Sequence, residues 1–499
     1  MENVFCSLYT QNSVDPAAEK RALQELLMHL GQETAQQQIE RHSSSVRLDG
    51  LICKALEAAS EHTDFSADEL EHFCREMAGE TGRKLPLNRF ELIHLGERFL
   101  HRSENCGLRS LIYGGLKGIA EYGMILSGKD VPEPEITGYL KNILAYLLVP
   151  GLGIPEMTEL VQDCGRMCLK TFHLLSEKYR QLYGIPRPVR VRISPVPGKA
   201  VLVMGQDYRM LDELLKLAKE RNIRIYTHGE LITAHTYPHF QEYWQLAGHY
   251  GSTWLKHRAE LADFPGAVLL TSGCFRPELD GIRERTFSCG TVWSAGIPHL
   301  RSEELFQVLD KAEELDGFAL NVPEEFVSAG YGHEILENSL PGIISMIERG
   351  ALRHICVIGG CDRVENDDRY FAELVQQMPQ ETLILSFGCC KMLFHREIRG
   401  LLGEFPRMLD LGQCSDVYSI IHFFHAMAGA LNTDVRNLPV SLFVGWNQER
   451  AIPAILALAA GGFDKIFIGS GVPSDILDGL QELGRIRVVT TPENDMKQL

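Results

Sequence analysis

The sequence has little positive charge, and its Lys and Arg residues form no basic block. It contains 49 Lys and Arg against 66 Asp and Glu, which gives a formal net charge of -17 at pH 7. Such an acidic chain repels phosphate backbones and anionic lipid headgroups. Nucleic acids and membrane surfaces are therefore not expected as partners.

Long apolar runs are also missing. The stretches 143–149 and 451–460 are too short to span a bilayer, and Pro150 and Pro453 interrupt them. The first residues include Glu2 and lead into no apolar segment, which is unlike a signal peptide. We therefore expect a cytoplasmic protein.

No cysteine pair has the CxxC spacing that is typical of structural zinc sites. The 13 cysteines are not expected to form disulfides, because the cytoplasm keeps thiols reduced. A free cysteine is most often a small buried residue. That is the prediction for eight of them: Cys6, Cys53, Cys74, Cys106, Cys164, Cys168, Cys289 and Cys356.

Hydrophobic periodicity predicts an N-terminal α-helical bundle over residues 1–195. Ser66 and Glu69 form a capping box before the third helix, and Gly184 is expected to end the last. Apolar residues at three-to-four spacing place the helices at 17–31, 48–62, 67–79, 89–102, 108–128 and 156–184.

After residue 195, short runs rich in β-branched residues alternate with helical patterns. This alternation is typical of mainly parallel sheets with helices on both faces. We predict two Rossmann-like α/β domains, over residues 196–320 and 321–499. Strands are expected at 200–204, 223–227, 267–271, 355–358, 383–386, 408–411, 440–444, 465–468 and 486–490.

Four cysteines directly follow predicted strands, each after a glycine or a Gly-Gln step. They are Cys274, Cys361, Cys389 and Cys414. Open α/β sheets bind ligands outside the carboxyl ends of their strands, and glycine lets the backbone approach a ligand closely. Together with the carboxylate of Glu230, these thiolates favour an iron–sulfur cluster over buried structural cysteines. Cys390, beside Cys389, is either a spare thiol of this site or a buried residue.

Four segments carry a family resemblance: YTHGE at 226–230, IGGCD at 358–362, LGQCSDVY at 411–418 and ENDMKQ at 493–498. They resemble the hybrid-cluster proteins, also called prismane proteins or hydroxylamine reductases. The resemblance extends from about residue 107 to the C-terminus. It implies a helical domain and two Rossmann-like domains, with an iron–sulfur–oxygen cluster where the three meet.

The resemblance also implies the cluster ligands, with Cys361 at the position that often carries an extra sulfur. The matching ligands are Glu230, Cys274, Cys361, Cys389 and Cys414. The family's histidine ligand falls on Gln206, its second glutamate falls on Gln448, and a nearby lysine falls on Arg450. An amide is a weak neutral donor, so the remaining set of four cysteines and one carboxylate is that of a conventional 4Fe–4S centre.

By this resemblance the chain is expected to reduce hydroxylamine to ammonia, or nitric oxide, with electrons from a separate donor protein. Glu230, Gln206, Gln448 and Arg450 are the candidate catalytic residues. The family's second, N-terminal cluster is expected to be absent, because only Cys6 lies in that region.

Two alternatives stay open. The first is a divergent paralogue whose conventional or altered cluster acts on another small substrate. The second is a non-catalytic redox sensor or electron carrier. The composition of the cluster, hybrid iron–sulfur–oxygen or 4Fe–4S, and the oligomeric state are left open as well.

Overall fold

The computed structural model describes residues 15–43, 45–60, 63–100, 106–253, 256–272, 279–362, 369–395, 398, 400–469, 471–484 and 486–497. Cys274 and Cys6 lie outside these ranges. Within them, no helix is both long enough and apolar enough to cross a membrane.

The described part of the N-terminal region is helical as far as Tyr183. Its helices are α1 (Pro16–Glu40), α2 (Val46–Ala58), α3 (Ala67–Thr81), α4 (Arg89–Leu100), α5 (Cys106–Ser127), α6 (Pro134–Tyr146) and α7 (Ile154–Tyr183). The predicted capping box is present: Ser66 N donates to Glu69 Oε2 at 2.7 Å, and Glu69 N donates to Ser66 Oγ at 3.2 Å. Gly184 ends α7 with a φ of 86°, as predicted.

Helix α1 is longer than predicted, because the chain does not stop at Gly31. A Cβ at Gly31 would lie 3.3 Å from the Cβ of Ala55 on α2. The missing side chain therefore lets two helices approach each other closely. This glycine is a packing residue, and the helix continues through it to Glu40.

The first large sheet is parallel throughout, with strand order β4-β3-β2-β5-β6-β7. Its strands are β2 (Lys199–Met204), β3 (Ile223–His228), β4 (Leu246–His249), β5 (Ala267–Leu270), β6 (Thr286–Cys289) and β7 (His299–Leu300). The chain runs outward from β2 to β4 and then returns to β5 on the other side of β2. The switch point of this sheet therefore lies between β2 and β5.

The second large sheet repeats this arrangement, with strand order β13-β10-β9-β14-β15-β16 and parallel pairing. Its strands are β9 (His354–Gly360), β10 (Thr382–Phe387), β13 (Met408–Gly412), β14 (Val440–Gly445), β15 (Ile466–Ile468) and β16 (Ile486–Val488). Its switch point lies between β9 and β14. The two α/β halves therefore share one strand order.

Two small antiparallel pairs complete the described strands. Strand β1 (Val189–Arg192) pairs with β8 (Phe326–Ala329), which joins the segment before the first sheet to the segment before the second. Strand β11 (Leu401–Leu402) pairs with β12 (Phe405–Pro406). The predicted domain boundaries at residues 195 and 320 stay predictions.

Helices connect and cover the strands. They are α8 (Tyr208–Ala218), α9 (Pro238–Gln241), α10 (His257–Asp263), α11 (Phe306–Glu314), α12 (His333–Glu348), α13 (Tyr370–Gln377), α14 (Val417–Ala430), α15 (Ala451–Ala460), α16 (Ser474–Glu482) and α17 (Pro492–Met496). One apolar core runs through the helical region and both large sheets.

Glycines in α7 and α5 bring the helical region against the second sheet's helices. A Cβ at Gly165 on α7 would lie 2.4 Å from the backbone oxygen of Leu456 on α15. A Cβ at Gly107 on α5 would lie 2.4 Å from the backbone nitrogen of Gly479 on α16. The helices touch backbone to backbone at these points, so larger side chains do not fit.

We expect Gly165→Ala to destabilise the protein by about 1–3 kcal/mol, because the added methyl group forces α7 and α15 apart. Gly138→Ala in α6 is the matched control, since a Cβ there meets nothing within 4 Å. Alanine at that position should stabilise the helix by up to about 1 kcal/mol. Thermal unfolding midpoints of both variants test this, and equal midpoints would refute the close packing.

Candidate metal centre

The carboxyl ends of both large sheets open onto one cavity. Gln206 follows β2 and Glu230 follows β3 in the first sheet, while Cys361, Cys389 and Cys414 follow β9, β10 and β13 in the second. All five residues line the cavity. The structure therefore brings together five of the predicted site residues, at the place where parallel sheets bind ligands.

Glycine backbone conformation lets the thiols approach one another. Gly388 has a φ of 72°, and a Cβ at this position would lie 2.7 Å from Cys414 Sγ. Gly360 has a φ of 80°, and it precedes Cys361, whose backbone N donates to Gly445 O at 3.2 Å. A side chain at Gly388 would occupy space that Cys414 needs, and a side chain at Gly360 would meet the backbone of Gly445.

The Glu230 carboxylate contacts the second sheet's cysteines directly. Its Oε2 accepts a hydrogen bond from the backbone N of Cys414 at 3.1 Å, and its Oε1 lies 3.9 Å from Cys389 Sγ. Only 4% of Glu230 is exposed. The carboxylate is therefore held among the thiols, away from solvent.

The amide of Gln206 is engaged with protein groups at both of its ends. With Nε2 directed at Glu230, it donates to Glu230 Oε2 at 3.1 Å, and its Oε1 accepts from Arg450 Nη2. The Tyr122 hydroxyl lies 3.3 Å from the amide end that faces Glu230. The backbone oxygen of Gln206 accepts from Gln413 Nε2 at 2.9 Å. Gln206 thus links the two sheets.

Arg450 lies behind Gln206 and is not among the described residues that line the cavity. Its guanidinium pairs with Glu121 Oε1 at 2.6 Å, and about 5% of each side chain is exposed. Glu121 Oε1 also accepts from Thr291 Oγ1 at 2.9 Å. Arg450 therefore acts on the cavity through the Gln206 amide that it holds.

Gln448 does not line the cavity among the described residues, whereas its neighbour Asn447 does. Gln448 Oε1 is buried and accepts no hydrogen bond from the described residues. Glu449 is directed elsewhere, because its Oε2 accepts from Lys117 Nζ at 2.7 Å. A one-residue register change that would bring Glu449 to the site is therefore not favoured.

Cys274 lies outside the described residues. Strand β5, which leads toward it, is the direct neighbour of β2 in the first sheet. Ser272, the last described residue before it, accepts from Gln206 N through its Oγ at 3.2 Å. The last described residue before Cys274 therefore contacts Gln206, which lines the cavity.

Several of the remaining cysteines are buried in apolar cores, as predicted. These are Cys53, Cys74, Cys164, Cys168, Cys289 and Cys356. Cys390 packs in the same apolar cluster as Cys356 and Ile358 and is not among the described residues that line the cavity. Burial raises the pKa of the Cys390 thiol well above its usual value. The adjacent thiols of Cys389 and Cys390 thus have different environments.

A buried ion pair fixes the turn that leads to Cys414. Lys391 Nζ lies 2.6 Å from Asp410 Oδ1 and donates to Gly412 O at 3.0 Å, while Gly412 N donates to Asp410 Oδ1 at 3.1 Å. The two side chains are only 2% and 4% exposed. The pair connects the turn after β10 to the end of β13.

Sequence reasoning did not identify His257 and Glu260, which lie on α10 beside this cavity. His257 lines the cavity together with His228, and their ring centroids are 4.4 Å apart. Burial lowers the pKa of His228 to about 4, and burial followed by the nearby His228 lowers that of His257 strongly. Both imidazoles are therefore neutral at pH 7. The sequence signal that could have identified them is their spacing, because residues three positions apart lie on the same face of a helix.

The donor set fits a soft metal centre. Three thiols and a carboxylate face one cavity, and no Lys or Arg is among the described residues that line it. Thiolates select iron–sulfur clusters, zinc or copper(I), and a carboxylate completes a set suited to iron. Cys361, Cys389, Cys414 and Glu230 are the described residues that can hold such a group.

We expect Lys391→Met to destabilise the protein by about 3–5 kcal/mol, because Asp410 would keep a buried charge without its partner. The double variant Lys391→Met, Asp410→Asn removes both charges and should recover part of that loss. Lys311→Met serves as the control, because its partner Glu314 is 67% exposed and such surface pairs contribute about 0–1 kcal/mol. Urea unfolding measures the stability of all three variants. A double variant no more stable than Lys391→Met would contradict the assignment of Lys391 and Asp410 as a buried ion pair.

The chain matches the model of the Prismane/CO dehydrogenase family over residues 17–496. It is 34% identical over 377 residues to a hydroxylamine reductase of Zymomonas mobilis, covering 76% of this chain and 69% of that one. It is 35% identical over 394 residues to a hydroxylamine reductase of Acidiphilium cryptum, covering 78% and 71% of the two chains.

The structure is similar to carbon monoxide dehydrogenase IV from Carboxydothermus hydrogenoformans, with a TM-score of 0.59 and 14% identity. This similarity covers 96% of this chain and 87% of that one, and it confirms the predicted fold class. The family match and the curated relatives confirm the resemblance found in the sequence. The chain belongs to the Prismane/CO dehydrogenase family of iron–sulfur oxidoreductases.

Proposed function

We propose that this protein reduces hydroxylamine to ammonia at an iron–sulfur cluster held in the cavity between the two sheets. The ligands are Cys361, Cys389 and Cys414, with Glu230 and with Cys274 from outside the described residues. One observation carries the proposal: three thiols from three strand ends and a carboxylate from the other sheet line the same cavity. Buried structural cysteines have no reason to converge in this way.

The substrate follows from the relatives, which are named hydroxylamine reductases. Reduction of NH₂OH to NH₃ and H₂O consumes two electrons and two protons. A separate electron-donor protein supplies the electrons, and solvent supplies the protons. When bound, the cluster supplies stored electrons and an iron atom that can take a small nitrogen compound.

Hydrogen bonds between the protein's own residues orient the groups of this site. Cys414 N and Gln206 Nε2 donate to the Glu230 carboxylate at 3.1 Å each, which fixes its orientation. Arg450 holds the other end of the Gln206 amide, and Glu121 holds Arg450. Arg450 is therefore a positioning residue that acts through Gln206. A guanidinium stays protonated at neutral pH, so it is a poor proton donor.

The engagement of Gln206 favours a cluster of conventional composition. Both polar ends of its amide are hydrogen-bonded to charged protein groups, so it is not available as an iron ligand in this arrangement. Four cysteines and one carboxylate then remain as the donor set. We propose near-equal iron and acid-labile sulfide, about four of each per chain, as in a four-cysteine cubane.

The adjacent residues Cys389 and Cys390 provide a matched test of the metal centre. Cys389→Ala removes a ligand, so iron content and hydroxylamine turnover of anaerobically purified protein should both fall by more than ~10-fold. Cys390→Ala removes a thiol from an apolar cluster and should cost only ~1 kcal/mol of stability, with iron retained.

Equal iron content in these two variants would refute the ligand assignment. Intact clusters in the wild-type protein without hydroxylamine turnover, given a strong reductant, would refute the reaction. Parallel assays with nitric oxide distinguish the two small nitrogen substrates. Wild-type protein that contains no iron would favour a role without redox catalysis.

Replacement of Gln206 tests the cluster composition. In Gln206→His, an imidazole takes the place of the amide, and imidazole is a good iron ligand. We expect the ratio of iron to sulfide to rise above that of the wild type and the electron paramagnetic resonance spectrum to change. Gln241→His at the end of α9 is the control and should alter neither. Fewer than about four acid-labile sulfides per chain in iron-loaded wild-type protein would contradict the conventional composition.

A further inference from the structure

Two imidazoles and a carboxylate meet beside the thiol-lined cavity. His228 is the last residue of β3, and His257 and Glu260 lie on α10. One ligand atom from each of the three residues lies within 4.8 Å of the other two. These residues contribute no sulfur and are distinct from the cysteine set.

The local structure brings these side chains to one point. His257 and Glu260 are three positions apart on a helix, so both lie on the same face. The turn after β4 brings Gly251 against both elements: a Cβ there would lie 2.7 Å from His228 Nε2 and 3.2 Å from Glu260 Oε2. Gly251 has a φ of 96°, a conformation that favours glycine. A larger residue at this position would crowd both groups.

The surrounding groups orient the carboxylate and one imidazole. Glu260 Oε2 accepts from Ser252 N at 2.9 Å, and Glu260 Oε1 accepts from Ser252 Oγ at 2.5 Å. The backbone of Ser252 also hydrogen-bonds to the His257 imidazole. Metal-binding histidines and carboxylates usually have such outer partners, which fix the orientation of the ligands.

We infer that His228, His257 and Glu260 form a second metal site, which binds a divalent first-row transition ion, zinc(II) or iron(II). Two imidazoles and a carboxylate are the ligand set of open catalytic sites of both ions. Tetrahedral ligand atoms lie roughly 3.3 Å apart at metal–ligand bond lengths of about 2.0–2.1 Å. Small rotations of the three side chains therefore close the site.

Three protein ligands leave a coordination position for a small molecule. His228 and His257 line the same cavity as Cys361 and Cys389, so this position opens toward the proposed reaction site. A divalent ion and the Glu260 carboxylate together carry one net positive charge. The carboxylates of Glu230 and Asp362 on the same cavity offset it. The inference goes beyond the proposed function and does not depend on it.

Metal content of anaerobically purified protein tests the site, with Zn²⁺ alone as the added probe. We expect one Zn²⁺ per chain in the wild type. In His257→Gln and Glu260→Gln, zinc affinity should fall by more than the ~10–100-fold that loss of an outer partner costs. His235→Gln is the control, because His235 bonds to Thr227 Oγ1 at 3.0 Å and is not part of the triad.

The zinc X-ray absorption edge distinguishes this site from the cysteines. We expect nitrogen and oxygen neighbours at about 2.0–2.1 Å and no sulfur at about 2.3 Å. Cys389→Ala should keep its zinc whether or not it loses iron, so the zinc result does not depend on the iron–sulfur assignment. The native ion is identified without added zinc. If His257→Gln contains less iron than the wild type but the same amount of sulfide, the native ion is iron(II). The inference would be overturned if the wild type binds no zinc or if the bound zinc has a sulfur neighbour. It would also be overturned if zinc affinity is unchanged in both His257→Gln and Glu260→Gln.

Discussion

The carboxylate of Glu230 joins the two sheets at the cavity, and the arrangement of the site depends on it. It projects from the end of β3, yet it accepts from the backbone of Cys414 at the end of β13. Gln206 strengthens the same junction through Glu230 and Gln413. A buried carboxylate needs such donors, because an ion without partners in a protein interior is costly. The polar contacts therefore fix the mutual position of the strand ends that carry the thiols.

Two further buried charge systems support this junction from either side. Lys391 and Asp410 tie the turn after β10 to the end of β13. Arg450 and Glu121 connect α5 in the helical region to Gln206. Burying each ion pair costs solvation free energy that burying hydrophobic residues would not cost. A contribution to stability is therefore a weak explanation for these pairs. Both pairs hold groups next to the cavity in defined positions.

The cavity places two different donor chemistries side by side. The described thiols on the cavity follow strands of the second sheet, and the imidazoles and the carboxylates of Glu230 and Glu260 come from the first sheet and α10. Both sheets have the same strand order, and the carboxyl ends of both open onto the cavity. In the function proposed above, a small nitrogen compound would lie between the iron–sulfur cluster and the inferred second metal ion.

Local pattern in the sequence determined the elements: helical periodicity, β-branched runs and Gly-Cys steps predicted the bundle, most strands of both sheets and the cysteines at strand ends. The strands β4, β6 and β7 escaped prediction, because their sequences LAGH, TFSC and HL contain no run of Val, Ile or Leu, unlike β5 (AVLL) and β15 (IFI). Only the tertiary structure decided which of these residues meet. Glu230 and Cys414 are 184 positions apart, and Gln206 and Gln413 are 207 apart. Likewise, only tertiary packing gave the adjacent residues Cys389 and Cys390 different environments and placed His228 beside His257. The environment of a side chain depends on elements far away in the sequence, which no local pattern records.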